Sequence, residues 1–122
     1  RFMDTGFKLG SCYYMVHNYK EAAECFEIAV AQEPKNLMYQ YNCAQAWLNS
    51  GQNYERALAL FDECSGHEDE LPYIPMQKSK CLFYLGLRDQ AQSVLEHIIQ
   101  STENEFVKKD SEALLQELRK QT

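Results

Sequence analysis

Apolar residues recur along this chain at helical intervals, in short runs separated by polar breaks. Phe7, Leu9, Gly10, Tyr13 and Tyr14 carry i, i+3, i+4 spacing, which gives a helix one apolar face. A break follows at His17 and Asn18, and then Ala22, Ala23, Phe26, Ala29 and Val30 make the stripe of a second helix. Pro34 ends that helix, because proline disfavours helical geometry at the residue before it. A second pair of runs covers 38–48 and 54–64, across the polar turn 49–53. A third covers 73–85 and 89–100, turning at Gly86, with Asp89 expected as the N-cap of its second helix. A last, polar-rich helix is expected over about 105–121, with Phe106, Val107, Leu114 and Leu118 on one side. Acidic residues at its start and Arg119 and Lys120 at its end suit the helix dipole. No stretch alternates with period two, so no strand is expected.

The pairs of runs repeat one another. Ala22, Ala57 and Ala91 stand 35 and 34 residues apart, and a large apolar residue follows each by four: Phe26, Phe61 and Leu95. Tyr13, Trp47 and Leu82 keep the same interval, as do Gly51 with Gly86 and Tyr19 with Tyr54. A small residue at a helix crossing lets two backbones approach to the short end of ~8–10 Å, and the large residue one turn on fills the space beside it. One such hairpin cannot bury its apolar faces alone, whereas stacked hairpins can.

The repeat resembles the tetratricopeptide repeat (TPR) family, whose signature is W-x2-L-G-x2-Y, then A-x3-F, then P. The first unit supplies Gly6, Leu9, Gly10, Tyr13, Ala22, Phe26 and Pro34; the second Gln40, Cys43, Ala44, Trp47, Ala57, Phe61 and Asp69. The third supplies Pro75, Lys78, Ser79, Leu82, Ala91, Leu95 and Glu103. The resemblance implies an all-α fold: a right-handed α-solenoid of three TPR helix hairpins with a C-terminal capping helix. It implies one TPR domain over 1–122, with repeats at about 3–36, 37–71 and 72–105 and the cap at about 105–121. It also implies a protein-binding scaffold or adaptor without catalytic residues.

In that family the first helix of each hairpin lines a concave groove. Carried over residue by residue, the groove shows Phe7, Ser11, Tyr14 and Met15, then Met38, Tyr41, Gln45, Leu48 and Asn49, then Tyr73, Met76, Lys80, Phe83 and Tyr84. Nine of the fourteen are Met or aromatic, a set suited to an apolar peptide or helical segment of a partner protein. Ser11, Gln45, Asn49 and Lys80 would fix its register. The co-chaperones of this family grip a C-terminal carboxylate with lysines and asparagines. Here the corresponding places hold Phe7, Ser11, Tyr73 and Gln77, and only Asn42 matches, so no such clamp is expected. The outline is similar both to the class II chaperones of type III secretion, which bind translocator proteins, and to sections of longer scaffolds such as ciliary transport subunits.

Charge narrows the partners further. Twelve basic and eighteen acidic side chains leave the chain at −6, which argues against nucleic acid. No apolar stretch approaches the ~18 residues a membrane span needs. Cysteines 12, 25, 43, 64 and 81 are odd in number and form no CxxC pair. Reduced thiols in a reducing, cytoplasmic compartment are the expectation. Cys64 with His67 is half a metal site with no second half, and the 68–70 acidic run lacks calcium-loop spacing, so neither metal nor cofactor is expected. No nucleophile elbow, phosphate loop or zinc-protease motif occurs, so no enzyme is expected. Beginning with Arg1 rather than Met, the chain reads as a piece of something longer.

Overall fold

The computed structural model describes residues 2–121 and the side chains of residues 5–121. The outermost ends of the expected domain, residues 1 and 122, and the side chain at residue 3 lie outside the described residues. All regular structure among the described residues is helical: α1 (Phe2–Met15), α2 (Tyr19–Gln32), α3 (Leu37–Ser50), α4 (Tyr54–Glu63), α5 (Ile74–Tyr84), α6 (Arg88–Ser101) and α7 (Glu105–Lys120). They divide into two compact units, Arg1–Cys64 and Ser65–Thr122.

Unit 1 holds α1 to α4. Its core is the small–large pattern of the sequence: Ala22, Ala23, Ala29, Ala44 and Ala57 are wholly buried, with Phe26 and Phe61 beside them. Glycine extends the device to α1. A Cβ on Gly10 would lie 2.7 Å from Cδ1 of Phe26 and 3.2 Å from the Ala22 carbonyl, so α1 meets α2 where only a hydrogen fits. Between α2, α3 and α4 sits a polar tie. The Arg56 guanidinium donates two bonds of 2.9 Å to the Glu27 carboxylate, and Trp47 Nε1 donates a third, also 2.9 Å. Burial pushes the Glu27 carboxyl up, but these hydrogen bonds outweigh it and hold the group below its ordinary range.

Helix ends follow local chemistry. The Asn36 side chain caps α3 by accepting from the Tyr39 N–H. α1 closes with His17 in the left-handed region and an Asn18 N–H to Tyr13 carbonyl bond of 2.9 Å. The same closure ends α5, where Gly86 takes the positive φ and the Leu87 N–H reaches the Leu82 carbonyl.

Unit 2 holds α5, α6 and α7. Ile74, Ser79, Cys81, Ala91, Leu95 and Ser111 are fully enclosed. Pro75 stands in the first turn of α5, where its missing N–H costs nothing. Two expectations are corrected here. Asp89 is not the N-cap of α6: the first helical bond runs from the Ala91 N–H to the Leu87 carbonyl, which puts Asp89 inside the first turn as a dipole partner. The buried stripe of α7 is Val107, Ser111, Leu115 and Leu118, spaced i, i+4, i+8, i+11, so neighbouring Phe106 turns outward and is 78% exposed. Asn104 caps α7 by accepting from the Phe106 and Val107 N–H groups.

Candidate functional site

In unit 1, α1 and α3 together present a mixed apolar and amide face. On α1 the residues at i, i+4, i+7 and i+8 are Phe7, Ser11, Tyr14 and Met15; on α3 the matching row is Met38, Tyr41, Asn42, Gln45 and Asn49. The two helices are joined across this face by Asn49 Nδ2 donating to the Tyr14 hydroxyl at 2.6 Å. Beside that bond lies a recess of about 160 Å³ lined by Ser11, Tyr14, Met15, Phe26 and Asn42. Gln45 Nε2 donates to the Tyr41 hydroxyl at 2.8 Å, and the Tyr41 ring stands edge-on to Phe61. Burial raises the pKa of both phenols, Tyr14 and Tyr41. Met15 is 79% exposed and Met38 48%.

Not every predicted groove residue is free to meet a partner there. Phe7 packs its ring between Phe26 and Tyr39, with centroids 5.7 and 5.0 Å away, so it serves the core as much as the surface. Ser11 donates back to the Phe7 carbonyl within α1. Leu48 is buried, and so is Met76 in unit 2, so neither side chain is displayed. Helical period places a residue on a stripe but does not say how deep that stripe sinks. Asn42, outside the predicted set, lines the recess; its place in the Asn42, Gln45, Asn49 row is the signal that finds it.

The remaining predicted residues belong to unit 2. The Tyr73 hydroxyl, just before α5, donates to Asp110 on α7 at 2.9 Å, and this bond raises the phenol's pKa. Phe83 carries the Arg88 guanidinium 5.4 Å above its ring and Tyr84 edge-on at 5.8 Å. Lys80 is half-buried, and Tyr84 is exposed. A cleft of about 900 Å³ that the sequence did not reveal opens elsewhere in unit 2, among the 68–75 segment, α6 and the start of α7.

Among the described residues no group of three or more His, Cys, Asp or Glu gathers as metal ligands would. Burial raises the Cys43 thiol, and Cys64 is pushed up to about 11, so neither is an activated nucleophile. No helix among the described residues is long and apolar enough to cross a membrane.

Comparison with known proteins places this geometry. A family model described as anaphase-promoting complex, cyclosome, subunit 3 matches residues 15–98. The tetratricopeptide repeat protein 30 homolog of Drosophila pseudoobscura pseudoobscura is 33% identical over 76 residues, 62% of this chain. The chain spans only 12% of that relative's length. Among solved structures, the first TPR of Spaghetti (RPAP3), bound to the HSP90 peptide SRMEEVD, superposes with a TM-score of 0.74 at 16% identity, covering 97% of this chain and 90% of that one. The Yersinia enterocolitica type III secretion translocator chaperone SycD gives a TM-score of 0.74 at 17% identity, covering 98% and 84%. At such identities the likeness establishes the fold: all-α, with TPR hairpins and no strand among the described residues.

Proposed function

Because the chain belongs to the tetratricopeptide-repeat family, in the branch described as anaphase-promoting complex, cyclosome, subunit 3, we propose that it is a protein-binding scaffold module. Its partner is a largely apolar segment of another protein, held on the α1/α3 face of unit 1. The observation that carries this reading is the recess beside the Tyr14–Asn49 bond. Tyr14, Met15 and Phe26 offer apolar area there, while Asn42 lines the same recess as a polar partner for a peptide backbone. Aromatics lose few rotors on binding, and methionine adapts its shape.

Binding by relatives of the same fold supports the reading: the Spaghetti repeat holds a peptide, and SycD is a translocator chaperone. Of the narrower roles, a section of a longer TPR scaffold is favoured, since the fly relative carries its matching stretch within a far longer chain. The five cysteines form no disulfide and three of them are buried, which supports a reading in which the chain works in a reducing compartment.

The test is affinity capture with the wild-type chain and with Met15→Glu and Asn49→Ala. Met15 is so exposed that a carboxylate there leaves the fold intact, which a circular-dichroism melt verifies. A partner held by the wild type should bind Met15→Glu at least about tenfold more weakly, a difference of about 1.4 kcal/mol. Equal binding by all three proteins would remove the α1/α3 face from the account.

A further inference from the structure

The unit 2 cleft is built unlike the α1/α3 face. Its floor is apolar and shielded: Ile98 and Val107 are buried, and Pro72, Pro75 and Val94 are half-buried around them. Its mouth is acidic. Asp69 and Glu103 are exposed there, and Glu68 is held in place by accepting the Gly66 N–H at 2.9 Å. Neither lysine nor arginine lines the cleft; His97 is its one basic side chain.

Helix dipoles do not reverse that sign. The last turn of α6 ends at the cleft, and the C-terminal end of a helix dipole favours cations. The first turn of α7 begins there too, but the Asn104 side chain already satisfies its leading N–H groups. Three carboxylates over an apolar floor therefore set the complementarity: positive charge outside, hydrocarbon inside. At about 900 Å³ the space accepts several side chains together.

We propose that this cleft is a second docking site, for a segment of a partner protein that carries lysine or arginine beside apolar residues. The apolar side chains sit on Val94, Ile98 and the two prolines, and the cationic group meets Glu68, Asp69 and Glu103. The site does not depend on the α1/α3 face, and salt should weaken it as it weakens any exposed ion pairing.

A displayed library of random peptides, each of about twelve residues, tests this by selection on the whole chain and in parallel on Glu68→Lys/Glu103→Lys. Selection on the wild type should enrich sequences with Lys or Arg next to Leu, Ile, Val or Pro. A selected peptide should bind the double variant at least about tenfold more weakly. It should also lose several-fold in affinity between about 50 and 300 mM salt. Val94→Ser, which keeps the charge and shortens the apolar wall, should weaken it about three- to tenfold. The proposal is overturned if selected peptides lack basic residues or bind wild type and double variant alike. It is equally overturned if Met15→Glu, rather than the cleft variants, abolishes their binding.

Discussion

Gly10 shows how one hydrogen atom can set a helix crossing. Replacing it with alanine has two opposed effects. A helix interior prefers alanine to glycine by about 1 kcal/mol. Against that, the new Cβ would lie 2.7 Å from two ring carbons of Phe26, which is 2% exposed, and 3.2 Å from a backbone carbonyl. Neither neighbour can retreat, and overpacking of this kind costs about 1–3 kcal/mol. The second effect is the larger, so Gly10→Ala should lose up to about 2 kcal/mol in urea unfolding, with an unchanged helical spectrum before the transition. A variant about 1 kcal/mol more stable than the wild type, the full helical preference for alanine, would mean that α1 and α2 are not in such close contact. The alanines and phenylalanines of the core were legible from their period alone. Phe7, Leu48 and Met76 were not, because a stripe about 100° wide contains both deep and shallow positions and spacing does not distinguish them.

At the scale of elements, the Glu27–Arg56–Trp47 tie was invisible in the sequence, since Trp47 and Arg56 lie 20 and 29 residues from Glu27 on different helices. The repeat placed those helices beside each other without saying which polar side chains would meet. The lowered pKa of Glu27 makes the tie sensitive to pH, with a definite sign. A carboxyl whose folded pKa lies below its unfolded value of about 4.3 contributes all its stability above that value. The contribution then fades as pH falls through the folded value. Melting temperature should therefore drop on acidification below about pH 4.3, and part of that drop should vanish in Glu27→Gln. At neutral pH, Glu27→Ala should cost about 1–2 kcal/mol: it strands the buried Trp47 N–H, while Arg56, more than a third exposed, regains water and adds little. A pH profile identical in Glu27→Gln and wild type would show that the tie does not titrate with folding. Helix ends were harder to read than helix faces for a related reason. Asp89 has the chemistry of a cap, but which carbonyl accepts the first helical bond depends on the preceding turn at Gly86.

For the molecule as a whole, a charge of −6 and the residues at the clamp places both argue against the binding of an acidic peptide tail. In the family's co-chaperones, cationic and amide side chains hold an acidic tail by its terminal carboxylate. Here Phe7 is committed to Phe26 and Tyr39, and Ser11 bonds back into its own helix. Tyr73 is bonded to a carboxylate, Asp110, which adds negative charge where the clamp would need positive. Asn42 can hold a peptide backbone without preferring an acidic one. Long-range repulsion acts in the same direction and is strongest at low salt, the condition that would most help a true clamp. Fluorescein-labelled SRMEEVD, the peptide bound by the Spaghetti repeat, should therefore show no saturation in anisotropy up to about 1 mM, an affinity weaker than about −4 kcal/mol. Raising the salt should not strengthen it into the micromolar range, because screening removes repulsion without creating a cationic site. Saturable micromolar binding, weakening as salt rises, would mean that Lys78 and Lys80 reach the tail despite their register, and the apolar-segment reading of the partner would have to give way.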